Sequence, residues 1–130
     1  MFKVTDEEFE GMIERGIDSL PDRFLDELEN VVFLMEYEPR DDQLYEEEIG
    51  DEEVLDNMMG LYEGVSLYDR GDDYGAFGAL PDTITIFKRA HEFRCSSFEE
   101  MEEEVRRTIV HEVGHYFGMD EDQIERMGYE

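Results

Sequence analysis

Basic residues are scarce in this chain. Eleven Lys and Arg stand against 38 Asp and Glu, for a formal net charge of −27 over 130 residues. Such a surface repels phosphate backbones and argues against nucleic acid as a partner. Cysteine is nearly absent: Cys95 is the only one, so no intrachain disulfide can form. Long apolar runs are missing too. The longest, Val31 to Met35, is five residues, whereas a membrane span needs about 20. The first residues, Met1 to Glu8, carry no apolar signal-peptide core. Together these absences lead us to expect a cytoplasmic protein with no membrane partner.

The hydrophobic fraction is 40%, with nine Phe and seven Tyr. That is enough apolar material for a folded core without disulfide staples, and we expect one domain over residues 1–130.

Residues 5–20 read as an amphipathic helix. Thr5 and Glu8 form a capping box, and Phe9, Ile13, Ile17 and Leu20 form one stripe. Pro21 ends it or opens a short second helix running to about Asn30. Val31 to Tyr37 reads as a buried strand, and Leu61 to Tyr68 as a weaker one with Gly64 as a bulge. Between them, residues 41–56 hold nine acids and no Lys or Arg, the pattern of an exposed loop or a frayed short helix. Residues 69–81, with Gly71, Gly75 and Gly78, read as a loop. Thr83 to Phe87 alternates as a third strand, and Ala90 to Ser96 is expected to be a loop. Ser97 and Glu100 cap a last long helix, with Phe98, Met101, Val105 and Ile109 as its core stripe and Gly118 as its stop. Asp120, with Gln123, caps a short terminal helix.

The chemistry is concentrated in His111-Glu112-Val113-Gly114-His115-Tyr116-Phe117-Gly118-Met119-Asp120-Glu121. His111 and His115 stand one turn apart on one face of the long helix. Two imidazoles so placed can bind one Zn²⁺ from the same side, and Glu112 beside them can reach a water on the open side of the metal. A random chain of this composition contains His-Glu-x-x-His about once in a hundred. Here it uses two of only three histidines and falls late in an amphipathic helix.

A catalytic zinc takes a third protein ligand. Glu121, ten residues after His111, is favoured, with Asp120 as the alternative, since Asp120 is also wanted as a helix cap. Glu112 is the candidate general base. Tyr116, Tyr129 and His91 are candidates for stabilising the oxyanion: Tyr116 has a competing place in the core, and His91 reads as a surface loop residue. Thr83 to Phe87 is a candidate sheet edge for binding a peptide as an added strand, with an interior strand as the equal alternative.

With these residues the chain resembles the zincin metallopeptidases, and more closely the small bacterial zincin-like metallopeptidases. Their pattern is His-Glu-x-x-His-x-x-Gly-x-x-Asp, which falls here on His111, Glu112, His115, Gly118 and Glu121, with Glu in place of the closing Asp. The similarity extends to Leu61 to Val65 and to Leu80 to Phe87. The resemblance implies an α+β minimal zincin fold. An active-site helix and a backing helix, here residues 5–20, would pack on a twisted sheet of about three to four strands. It also implies zinc as cofactor, the closing acid as third ligand, and a shallow cleft or one completed by a partner.

The expected function is a zinc-dependent metallopeptidase acting on peptides or flexible protein segments. The alternative is a zinc-binding, non-hydrolytic acidic interaction module, and the third reading is an acidic structural protein without metal.

Overall fold

The computed structural model describes residues 1–64, 70–71 and 80–128, with the side chains of 127 and 128 excepted. Residues 65–68 of the second expected strand, Gly75 and Gly78 of the expected loop, and Tyr129 lie outside the described residues.

The order of elements is α1 (Asp6–Asp18), α2 (Asp22–Leu25), β1 (Val31–Glu36), two single 3-10 turns, α3 (Glu52–Asn57), β2 (Gly60–Glu63), β3 (Asp82–Phe87), α4 (Lys88–Arg94), α5 (Phe98–Tyr116) and α6 (Glu121–Gly128). This is the α+β class expected from the sequence, with a three-stranded mixed sheet. Among the described residues no helix is long and apolar enough to cross a membrane.

Helix α1 starts where its capping box dictates. The Thr5 hydroxyl accepts from the Glu8 N–H, and the Thr5 N–H donates to the Glu8 carboxylate at 2.8 Å. Its buried face, Phe9, Met12 and Ile13, joins Met101, Val105 and Ile109 of α5 in one core with Ile84 and Ile86 of β3. The long helix therefore has a backing helix on one side and the sheet on another. That rigid seat fixes the residues at its C-terminal end.

The sheet order is β1-β3-β2, with β3 parallel to β1 and antiparallel to β2. This settles the position of Thr83 to Phe87: it is the interior strand, and β2 is the edge that lies beside α5. Alternation reports which face of a strand is buried and says nothing about which of its sides is paired. The near-complete burial of Ile84, Thr85, Ile86 and Phe87 is the mark of a strand flanked on both sides.

A second correction concerns the loop expected over Ala90 to Ser96: residues 90–94 belong to helix α4, which starts at Lys88. The helix hides its inner face behind polar residues: Ala90, His91 and Glu92 are buried. The Glu92 carboxylate accepts from the Val4 N–H at 3.1 Å. On the outer side, Arg89 grips Glu38, Glu52 and Asp56, tying the acidic stretch after β1 to α4. Helix α2 is shorter than expected, ending at Leu25.

His91 is fully buried, not on the surface. Nδ1 lies 2.7 Å from the Phe87 carbonyl and Nε2 lies 3.0 Å from the Thr108 hydroxyl. Burial pulls its pKa from 6.5 down to about 4, against the raising effect of the Phe87 and Glu104 carbonyls. Between those two values the unfolded chain binds the proton and the folded one does not. The stability that neutral His91 provides is therefore complete above about pH 6.5 and is lost as the pH falls towards 4. Metal-free wild type and His91→Gln, unfolded with urea from pH 4 to 8, should differ in this slope. The difference should reach about 3 kcal/mol across the window. Parallel curves would mean that the ring is charged in the folded state.

Candidate metal centre

Helix α5 opens at Ser97, whose hydroxyl accepts from the Glu100 N–H at 3.1 Å, and carries His111 and His115 into its last two turns. Both rings are about two-fifths exposed. They meet edge to face, with centroids 4.7 Å apart, and their Nε2 atoms stand 3.1 Å from each other.

The chain then reverses. Gly118 takes a φ of +77°, a left-handed conformation that side chains resist. Its N–H donates to the His115 carbonyl, and the Met119 N–H donates to the Gly114 carbonyl, the pair of bonds that closes a glycine-terminated helix. Asp120 is committed to capping α6: its Oδ1 accepts from the Gln123 N–H at 2.9 Å, and its own N–H donates to Gln123 Oε1 at 2.9 Å. Glu121 instead turns to the histidines. Its Oε1 lies 3.7 Å from His111 Nε2 and 3.8 Å from His115 Nε2. Among the described residues, His111, His115 and Glu121 are the group that brings three potential ligand atoms together, all within 4.8 Å of one another.

These separations test the fit of a metal. With bonds of 2.0–2.1 Å, two ligands on a tetrahedral zinc stand ~3.3 Å apart. The observed 3.1, 3.7 and 3.8 Å bracket that edge within a few tenths of an ångström. The N, N, O donor set is also one that zinc accepts. Burial, followed by the neighbouring His111, lowers the His115 pKa, which favours the neutral imidazole that ligation requires. The residues fit the ion.

Glu112 sits on the inner side of the pair and is 7% exposed. Burial pushes its pKa up to about 7. The Tyr62 backbone N–H, which bonds to it, pulls the other way, and the Glu121 charge adds to the rise. Tyr62 is on β2, so the backbone of this strand borders the carboxyl. Two open hollows meet at this point. One, of about 540 Å³, runs past Tyr62, His115 and Met119, and the other, of about 380 Å³, runs past Asn57, Met58, Met59 and Thr108. Gly60, His111 and Glu112 line both.

Two of the oxyanion candidates face elsewhere. The Tyr116 hydroxyl accepts from the Glu29 N–H at 2.9 Å, and its ring is fully buried. His91 is bound within the core as described. The sequence reading missed Tyr62, whose contribution is a backbone group, and Gly114. A Cβ at Gly114 would come within 2.4 Å of Ile124 Cγ1, so the absent side chain lets α6 lie close on α5 and bring Glu121 to the histidines. Gly114→Ala should lever α6 outward, lowering stability by about 1–3 kcal/mol and weakening metal binding while both histidines remain. Calorimetry and zinc titration of the variant check this. An unchanged zinc affinity would separate Glu121 placement from the packing of α6.

A family model described as Zincin-like metallopeptidase matches residues 28–129. No curated protein matches the chain significantly.

Proposed function

The chain belongs to the zincin-like metallopeptidase family, and from that premise we propose that it is a zinc-dependent peptidase, with His111, His115 and Glu121 as metal ligands and Glu112 as general base. The observation that carries the reading is the three-donor cluster, spaced as the edges of a zinc tetrahedron, with a buried carboxyl held next to it. When bound, zinc supplies a Lewis acid and makes a water acidic enough to react near neutral pH.

The chain's own residues do the rest. The two imidazoles and the Glu121 carboxylate orient the open side of the site towards the hollows beside β2. Glu112 accepts the proton of the attacking water and returns it to the leaving amine. Its pKa near 7 in the metal-free fold makes both transfers accessible. An extended peptide lying along β2 would pass between the two hollows, with its scissile bond beside Glu112. The substrate class is a peptide or a flexible protein segment, because the open groove needs an extended chain. The single cysteine, buried and with its thiol pushed up to about 11 by burial, suits a reducing cytoplasm.

One observation favours the alternative of a zinc-binding, non-hydrolytic module. The two histidines are two-fifths exposed and Glu121 is 68% exposed, so the site excludes little water. Zinc content and cleavage of a broad peptide library, measured on the same zinc-loaded sample, decide between the readings. Stoichiometric zinc with Glu112-dependent cleavage supports the peptidase. Stoichiometric zinc with an uncut library selects the module.

A further inference from the structure

Among the described residues the sheet has a second edge, on the side away from the metal centre. Strand β1 is the terminal strand of the order β1-β3-β2. The Asp82 N–H donates to the Asn30 carbonyl at 2.8 Å, and this sets the parallel ladder. Asn30, Val32 and Leu34 then aim their backbone groups at β3, while Val31, Phe33 and Met35 aim theirs outward. Such a row is a template for another strand, and proteins usually blunt it with Lys, Pro or a bulge. Val31-Val32-Phe33-Leu34-Met35 contains none of these residues. Val32 and Leu34 are 40% and 39% exposed.

Beside this edge runs a groove of about 320 Å³ between α1 and β1. Ile13 and Ile17 form its wall, Phe33 and Met35 its floor, and Glu10 and Glu14 line it with exposed side chains. Neither glutamate has an ion-pair partner among the described residues. Helix α1, which forms one wall of the groove, precedes the 28–129 region matched by the family model.

We propose that this groove is a docking site for an extended, cationic segment of a partner protein, which adds to β1 as a further strand. Charge complementarity selects this occupant. A second copy would bring another −27 and set Glu10 and Glu14 against their own equivalents. A segment alternating Lys or Arg with apolar residues fits on both faces. Its long basic side chains lay their methylenes over Ile13 and Ile17 and carry their charges to Glu10 and Glu14. Its apolar residues extend the Val32–Leu34 surface. The spacing agrees: four residues of helix rise ~6 Å, close to the ~6.7 Å between alternate residues of a strand, so a Lys-x-Lys face meets both glutamates. The groove is independent of the metal centre, because β1 and β2 are opposite edges of the sheet.

The probe is a capped eight-residue peptide of alternating Lys and Val, titrated into the zinc-loaded chain. Fluorescence anisotropy gives its affinity and NMR hydrogen exchange its location, with peptide integrity checked by mass. The expected result is slowed exchange of the Val31, Phe33 and Met35 amides. Binding should weaken about five- to tenfold in Glu10→Gln/Glu14→Gln, with the melting temperature unchanged because both side chains are exposed. N-methylating the peptide residues that face β1 should abolish binding, while N-methylating the intervening ones should not. Three results would overturn the proposal. The first is binding indifferent to the two glutamates. The second is protection at β2 or spread over the acidic surface instead of at β1. The third is β1 already protected, without peptide, by a concentration-dependent dimer.

Discussion

Zinc-loaded Glu112→Gln is expected to keep about one zinc per chain and to lose hydrolysis by about 10²–10⁴-fold. The substitution changes little besides proton transfer. Gln has nearly the same shape as Glu, so it fits the same buried position between β2 and the histidines. It cannot take a proton from water. The loss should therefore fall on kcat, with KM little changed, because no substrate contact is removed. Zinc should remain, since the three donors gathered by the fold are His111, His115 and Glu121.

Stability gives an internal control. Burial disfavours the ionised form of Glu112, the largest influence on its pKa near 7. A neutral amide at this site avoids that cost, so metal-free Glu112→Gln should melt no lower than wild type at neutral pH. Lost cleavage in a chain that is equally stable and equally metallated can be assigned to the missing base. Cleavage at the wild-type rate would remove Glu112 from the mechanism. Loss of zinc would place its carboxylate in the coordination sphere.

The parts of this site that could be read from the sequence are those that depend on near neighbours in the chain. The i, i+4 spacing of His111 and His115, the capping box at Thr5, the hydroxyl cap at Ser97 (where Glu100 reaches back to Ser96 rather than completing a box) and the glycine stop at 118 all operate within one or two helical turns. All are found where periodicity and cap chemistry put them. What stayed hidden depends on distant segments. The order of strands follows from packing against α5 and cannot be inferred from the alternation within Thr83 to Phe87. Helix α4 was obscured because the residues it buries, His91 and Glu92, are polar and satisfied by Phe87, Thr108 and Val4, far from any apolar stripe. The Tyr62 influence on Glu112 comes from the backbone, so no side-chain motif signals it. Gly114 sits within the motif itself, yet its use is revealed only by Ile124 lying against it.

The choice between Glu121 and Asp120 as third ligand predicts opposite behaviour in two neighbouring variants. Zinc should bind the wild type tightly enough to stabilise it, by about 3–4 kcal/mol at free zinc 100–1,000 times the dissociation constant, or roughly 10 °C in melting temperature for a chain of this length. His111→Ala and His115→Ala should abolish this shift, because each leaves a single imidazole. Glu121→Ala should lose most of it, since the remaining pair of nitrogens is a two-ligand site with no carboxylate to offset the charge of the ion. Asp120→Ala should behave differently. The Asp120 carboxylate accepts from the Gln123 N–H at the start of α6, and removing a cap of this kind costs about 1 kcal/mol. Its melting temperature should drop with and without metal, while the zinc-induced shift survives. Elemental analysis after desalting and paired melting curves with and without chelator measure both quantities. The reverse pattern, with zinc lost in Asp120→Ala and kept in Glu121→Ala, would mean that α6 unwinds its first turn on metal binding and exchanges the cap for a ligand. A shift that survives in His115→Ala would detach zinc from this helix altogether.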